Sequence, residues 1–258
     1  MIKFTIVTVT FNAAAVLRRT VASVASQKYQ HVEHLIIDGA SRDNTLALAE
    51  TYKHNSDEAN NGHEVLITSE PDHGLYDAMN KGIDKATGDY ICFLNAGDTF
   101  ASRDTLDNIA SYVGEAEELP AVLFGDTDIV DNDGRFLRHR RLAPPRHLTW
   151  KSFRWGMLVC HQSFYARTDL ARLVHYNLDY HYSADVDWCI RIMKLAAKRH
   201  QPLRNVNIVV TKFLDGGMTN KNHKASLKER FHVMTVHYGL ITTVVMHVFF
   251  VIRNILKR

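Results

Sequence analysis

Apolar runs alternate with polar turns and helical patterns through the first hundred residues. "FTIVTVTFN" (Phe4 to Asn12) is β-branched and apolar and stops at an asparagine. "AAAVLRRTVASVASQ" (Ala13 to Gln27) then places Val16, Leu17, Val21 and Val24 at helical spacing. "EHLIID" (Glu33 to Asp38) reads as a second strand, followed by the loop "GASRDN" and a helix from Thr45 to about Lys53. "EVLITSE" is a third strand, "LYDAMNKGIDKAT" a helix and "DYICFLN" a fourth strand. Continuous apolar strands separated by helices predict a parallel sheet covered on both faces. Ligands of such sheets bind at the carboxyl ends of the strands. Asn12, Asp38, Asp43 and the turn Asn95 to Asp98 converge there.

The second half is less regular. "AVLFGDTDIV" and "RFLRHRRLA", joined by "DNDG", predict a hairpin. "SADVDWCIRIMKLAAKRH" is amphipathic and helical, with Ser183 as its cap, and "NVNIVVTKFL" is a late strand ending in "DGGMT". From Phe231 to Ile252 no Asp, Glu, Lys or Arg occurs. Polar residues at 232, 235, 239, 242 and 243 keep to one helical face. An interfacial helix, a packed core helix and a membrane span all stay open for this stretch.

The 258 residues can bury a proper core, and 46% hydrophobic with 23% charged residues is ordinary for a globular chain. Cys92, Cys160 and Cys189 are far apart and form no C-x-x-C pair, so neither a zinc site nor a disulfide framework is expected, and a reducing compartment fits. No signal peptide is expected at Met1. A net charge of +3 is too weak to argue for nucleic acid, although "RFLRHRRLAPPRH" and "RNILKR" concentrate basic residues. There is no G-x-G-x-x-G after the first strand and no G-x-x-x-x-G-K-[ST], which argues against a dinucleotide enzyme and a P-loop NTPase.

Six stretches carry a family resemblance: "TVTFNA", "DGASRDNT", "EPDHGLYDAMNKGIDKATGDYICFLNAGD", "HQSFY", "SADVDWCIR" and "DGGMT". In this order they resemble the family 2 inverting glycosyltransferases of GT-A fold, in particular the bacterial exopolysaccharide branch that includes the colanic-acid type enzymes. The resemblance implies an α/β fold with a Rossmann-like, mostly parallel sheet. A GT-A domain over residues 1–220 would divide into a nucleotide-sugar-binding half (1–100) and an acceptor-binding half (101–220). Residues 221–258 would form C-terminal helices. It further implies transfer of a sugar from a nucleotide-diphosphate sugar to a saccharide or lipid-linked acceptor, in the cytoplasm at the inner face of the inner membrane.

Carried over residue by residue, the resemblance sets Thr10 and Asn12 beside the base and Asp38 against base or ribose. Relatives have two adjacent acids there; this chain has Asp38 followed by Gly39. Gly74, Asp77, Asn80 and Lys81 would face ribose and diphosphate, with Met79 where many relatives have arginine. Asp98, the last acid of a D-x-D-type turn, would ligate Mn²⁺ or Mg²⁺, with Asn95 orienting ribose or water. Hard cations take oxygen ligands and draw several from phosphate and water, so one carboxylate suffices. The base that accepts the acceptor's proton would be Asp185, six residues before Arg191, rather than Asp187. His161 and Gln162 would lie near the phosphates and acceptor, and Gly216, Gly217 and Thr219 would loop over the sugar. Two rival readings are a sugar nucleotidylyltransferase, which would show a basic glycine-rich loop after the first strand, and a degenerate relative acting as a scaffold.

Overall fold

The computed structural model describes residues 1–113, 118–216 and 223–255. The predicted alternation is borne out: β1 (Phe4–Thr10), α1 (Ala14–Ala25), β2 (Val32–Asp38), α2 (Thr45–Ala59), β3 (His63–Ser69), α3 (Leu75–Lys85) and β4 (Tyr90–Phe93). β1 and β2 are buried at every position, as continuous apolar runs require. The four strands pair in parallel in the order β3-β2-β1-β4. Register sets Thr10, Asp38 and Ser69 side by side at the strand ends.

One departure is the length of α2, which runs to Ala59 rather than Lys53. Ion pairs one turn apart, Lys53 with Asp57 and His54 with Glu58, line its last turns, and Asn60 ends it in the left-handed region.

Beyond β4 the sheet becomes mixed. A two-residue strand β5 (Thr99–Phe100) and helix α4 (Thr105–Val113) precede the expected hairpin of β6 (Val122–Val130) and β7 (Phe136–His139). β8 (Phe164–Arg167) inserts antiparallel between β4 and β6 and leads into the short helix α5 (Thr168–Ala171), and β9 (Leu203–Leu214) runs parallel to β6. The described strands form one sheet ordered β3-β2-β1-β4-β8-β6-β9-β5, with β7 on β6.

Side-chain alternation divides the core between the two faces. Val7, Val9, Leu35 and Ile37 meet α3 and α6 (Ala184–Lys198) through Met79, Ile83, Trp188 and Ile192. Phe4 and Ile6 face Val24, Leu106 and Ile109 on α1 and α4, while Ile36 meets Leu17, Ala49 and Tyr52. Each such side chain, fully buried, contributes about 1.5–3 kcal/mol. Gly82 allows α3 to lie close on the sheet, since a Cβ there would stand 2.5 Å from Val7 Cγ1.

Ser183 occupies the N-cap position of α6 without the expected side-chain capping bond; its Oγ instead reaches the Ser226 carbonyl at 3.5 Å. The uncharged C-terminal stretch is not one helix. Gly239, at φ +81°, separates helix His223–Tyr238 from helix Leu240–Ile255. The first packs Val233 and Met234 into the body. Its His237 bonds to Asp187 of α6 at 2.8 Å, and Tyr238 stacks on Trp150. Among the described residues no helix is long and apolar enough to cross a membrane.

Candidate active site

The insertion of β8 beside β4 brings two remote segments together. β8 runs antiparallel, so the turn His161–Ser163 that precedes it lands at the carboxyl end of β4, next to Asn95–Asp98. The N-terminus of α6 closes the third side through Asp185.

Asp98 is 4% exposed. Its Oδ1 accepts the Leu214 N–H at 2.9 Å, and its Oδ2 accepts the Gln162 side-chain amide at 2.9 Å. Burial pushes its pKa up to about 6, against the pull of those hydrogen bonds and of the His161 and Arg19 charges. Thr20, on α1, shapes the turn by accepting the Gly97 N–H and donating to the Asp98 carbonyl. Gln162 is a brace, since its Oε1 accepts from Cys160 and its carbonyl accepts from Thr211.

Asp185 keeps a 17% exposed side chain at the head of α6. Its Oδ2 lies 3.4 Å from His161 Nδ1, Tyr76 donates to its Oδ1 at 3.4 Å, and the Val186 N–H adds a bond of 2.9 Å. Burial alone would raise its pKa, but the His161 hydrogen bond and charge, the Arg230 charge and the Val186 N–H hold it below the usual range. The carboxylate is therefore ionised and ready to accept a proton. Asp187 differs. It is 4% exposed and paired with Arg191 of the same helix at 2.7 Å and with His237 at 2.8 Å, the latter tying α6 to the C-terminal helix.

The network also orients Asn95. A carboxylate only accepts, so His161 turns an Nδ1–H to Asp185, and its Nε2 pairs with Asn95 Nδ2, 3.4 Å away. The amide oxygen of Asn95 is left buried and without a partner. A buried carboxylate with a raised pKa and an orphaned hard oxygen, both from one turn, make a donor set that fits Mg²⁺ or Mn²⁺. Among the described residues no three His, Cys, Asp or Glu side chains cluster as a metal site, so diphosphate and water would supply the remaining ligands.

Several residues expected at the donor have partners inside the protein. Asp38 is 1% exposed and already accepts from Thr10 Oγ1, Ser69 Oγ, and both the N–H and Oγ of Ser41. Burial raises its pKa, but these four bonds outweigh it and lower the net value. These bonds tie Asp38 to the loop that follows β2 and to the ends of β1 and β3, with buried Thr10 as one donor. Asn12, exposed at φ +49°, ties the first loop to the second through Ser41 and Arg42.

On α3, Asp77 accepts the His73 N–H, and Lys81 is held by Glu70 at 3.1 Å and the Pro71 carbonyl at 2.8 Å. Asn80 turns elsewhere, exchanging two hydrogen bonds with the Tyr176 backbone. The three side chains thus have partners inside the protein and do not gather at the Asp98–Asp185 cluster. Gly74, at φ +112°, opens α3 with free space where a side chain would stand. Gly217 and Thr219 lie outside the described residues.

Sequence reasoning missed Tyr76, although it sits inside the long quoted motif. Its helical spacing with Met79 and Ile83 signals core, and only the tertiary contact reveals its hydroxyl on Asp185. Asp72 was missed as well. Its Oδ1 accepts the Gly74 N–H, and its Oδ2 would stand 2.3 Å from a Cβ at position 39, so the Asp72 carboxylate occupies the space that a side chain there would need.

The profile of Glycosyl transferase family 2 matches residues 5–173, well over half of the chain. The chain belongs to this family. This glycosyltransferase is 32% identical over 230 residues to a PGL/p-HBAD biosynthesis glycosyltransferase of Mycobacterium bovis, covering 84% of this chain and 79% of that one. It is 30% identical over 218 residues to the amylovoran biosynthesis glycosyltransferase AmsB of Erwinia amylovora, covering 81% and 70%. Among solved structures, S. aureus TarS 1-349 in complex with UDP-GlcNAc superposes with TM-score 0.69 at 17% identity. The match covers 91% of this glycosyltransferase but only 65% of that chain, just under two thirds of its length. Mannosyltransferase PcManGT from Pyrobaculum calidifontis, in complex with GDP-Man and Mn²⁺, gives 0.57 at 17% identity, covering 95% and 74%. At these identities the solved structures speak for the fold, which is GT-A.

Proposed function

We propose that this glycosyltransferase moves a sugar, with inversion, from a nucleoside-diphosphate sugar to a lipid-linked saccharide. The setting would be surface polysaccharide or glycolipid assembly at the cytoplasmic face of the inner membrane. The observation that carries the reading is Asp185, ionised and partly exposed, one histidine away from the Asn95–Asp98 turn. The names of the two relatives, from amylovoran and PGL/p-HBAD biosynthesis, support the polysaccharide or glycolipid setting, and the TarS complex supports a nucleotide-sugar donor.

In the reaction the acceptor hydroxyl attacks the anomeric carbon from the side opposite the diphosphate. A new glycosidic C–O bond forms as the bond to the β-phosphate oxygen breaks. Asp185 takes the hydroxyl proton, and His161 and Tyr76 hold its carboxylate in place. Asp98 and Asn95 would hold a divalent cation, which when bound neutralises charge on the departing diphosphate. Gln162 and Leu214 keep the Asp98 carboxylate fixed.

The test is release of nucleoside diphosphate from a panel of nucleotide sugars, with a lipid-linked saccharide present and with chelator in parallel. Acceptor-dependent release that is lost in Asp185→Asn is expected. A protein that binds nucleotide sugars but turns over none of them would favour the scaffold reading.

A further inference from the structure

The last helix leaves an apolar face uncovered. Leu240, Ile241, Val244, Val245, Val248 and Ile252 follow one another along it, and Ile241 is 83% exposed and Val245 60%. An apolar groove of about 320 Å³, lined by Phe231, Val244, His247, Val248, Val251 and Ile252, runs between the two C-terminal helices. An uncovered apolar patch of this extent marks an interaction site.

Charge identifies the occupant. No Asp or Glu occurs after Glu229, and between Gly134 and Cys160 there are seven Lys or Arg and no acid. The turn Trp150–Trp155 brings that basic segment against the apolar face. Trp155, 43% exposed, packs edge-on against Phe249 with ring centroids 5.4 Å apart. Arg154 lies over Trp155, and Arg253 over Phe249 and Phe250. Lys151 and Arg154 are exposed. A tryptophan and basic side chains bordering an aliphatic face match the boundary between acyl chains and anionic headgroups. A second copy on this face would bring like charges together. Among the described residues this helix has 16 residues, about 24 Å against roughly 30 Å of hydrocarbon.

We propose that helix Leu240–Ile255 and the Trp150–Trp155 turn together seat this glycosyltransferase on an anionic lipid surface, with the helix in the plane of the leaflet. This rests on the reading of a lipid-linked acceptor and names the surface from which that acceptor arrives. The seat is joined to the base-bearing helix. Glu229 accepts the His181 and Tyr182 N–H groups just before α6, and His237 holds Asp187 within it. Docking would therefore fix where Asp185 stands above the leaflet.

The experiment is co-sedimentation of the full chain with phosphatidylcholine vesicles, with and without phosphatidylglycerol. Wild type should sediment with the anionic vesicles, and added salt should weaken binding. Ile241→Glu with Val245→Glu should lower binding by about tenfold or more, since two exposed aliphatic contacts are lost. Lys151→Glu with Arg154→Glu should lower binding to anionic vesicles by at least about fivefold per residue and change binding to neutral vesicles little. Circular dichroism checks that each variant is folded. Unchanged anionic-vesicle binding in both variants overturns the proposal, as does absence of wild-type binding. A wild-type dimer in light scattering that Ile241→Glu with Val245→Glu dissociates, with no vesicle binding, assigns the face to a second copy and overturns it too. Nucleoside diphosphate release separates the two readings. Turnover without vesicle binding sinks the seat alone, whereas vesicle binding without turnover sinks the proposed reaction.

Discussion

Asp98→Asn should make the metal-free protein more stable, and it should do so in a pH-dependent way. The folded carboxyl titrates at about 6 against an ordinary 3.8, because burial outweighs its two hydrogen bonds. Between those values the folded state binds more protons than the unfolded state, so this group's contribution to stability falls as pH rises through the window. Above about pH 7 the full cost of the buried charge, about 3 kcal/mol, is in place. Asparagine removes the charge and keeps an acceptor for Leu214. It loses the acceptor for Gln162, which costs about 1 kcal/mol. The net gain is about 2 kcal/mol at pH 8, or about 4–8 °C in Tm for a chain of this size. At pH 4, where the folded carboxyl is protonated, most of the gain should vanish or reverse. Asp38, Asp185, Asp187 and Glu33 have lowered pKa values and bias stability the opposite way with pH, so only the difference between wild type and variant isolates Asp98. The assay is thermal unfolding from pH 4 to 8 in chelator, then with Mn²⁺ and a nucleoside diphosphate. The added cation should raise the Tm of wild type and leave the variant nearly unmoved. A variant less stable than wild type at pH 8 in chelator, with a pH-independent difference, would refute both the buried-charge account and the fit to a cation.

Asp185→Asn should reduce transfer by about 10²- to 10⁴-fold with nucleotide-sugar affinity nearly unchanged, measured by product formation beside donor titration. Asp187→Asn should instead cost about 1.5–3 kcal/mol of stability through its bonds to Arg191 and His237; full activity in Asp185→Asn with loss in Asp187→Asn would reverse the assignment. His161→Gln removes the leading influence that lowers the Asp185 pKa, so the acid limb of the kcat/KM profile should move to higher pH; an unmoved limb would mean that His161 does not hold the base. Gly82→Ala forces a Cβ into Val7 and should destabilise by about 1–3 kcal/mol in denaturant unfolding, with no loss if α3 sits farther from the sheet than described.

The strands buried on both faces were legible in the sequence, and so were the half-exposed β3 and the exposed β7 of the hairpin. β1 and β4 read as apolar or β-branched runs because no position on them meets water, and β2 does so from Leu35 to Ile37, its buried Glu33 and His34 being held by Thr5, Thr8 and Tyr52. β5 has only two residues, and two residues carry no period. The place of β8 was equally hidden, since no local pattern tells a strand to pair antiparallel between partners far away in the chain. The site divides the same way. "HQ" and the acid before Arg191 could be named from the family resemblance, but the joining of His161 to both Asn95 and Asp185 depends on that insertion. Helical spacing put Asp77 and Asn80 on one face. It could not show that Asn80 would satisfy a backbone segment near Tyr176, because a buried loop's need for partners is a tertiary demand.

The missing second acid of the turn has a geometric cause. Gly97 sits at φ +102°, a conformation that side chains rarely adopt, and a Cβ there would stand 2.8 Å from Leu214 Cδ2. Leu214 cannot readily retreat, because its N–H is the donor that holds Asp98. The residue whose N–H fixes the one carboxylate is therefore also the residue whose side chain crowds the position beside it. Asn95 then matters in a way its neutral amide did not suggest. His161 takes its N–H, leaving the carbonyl oxygen as a second hard ligand from the same turn. On this argument His161 serves two ends of the site at once, holding the base through Nδ1 and aiming an oxygen through Nε2. Asn95→Ala should then weaken cation-dependent stabilisation without shifting the acid limb that His161→Gln moves. Loss of both effects in Asn95→Ala would show that the histidine is held by Asn95 rather than the reverse.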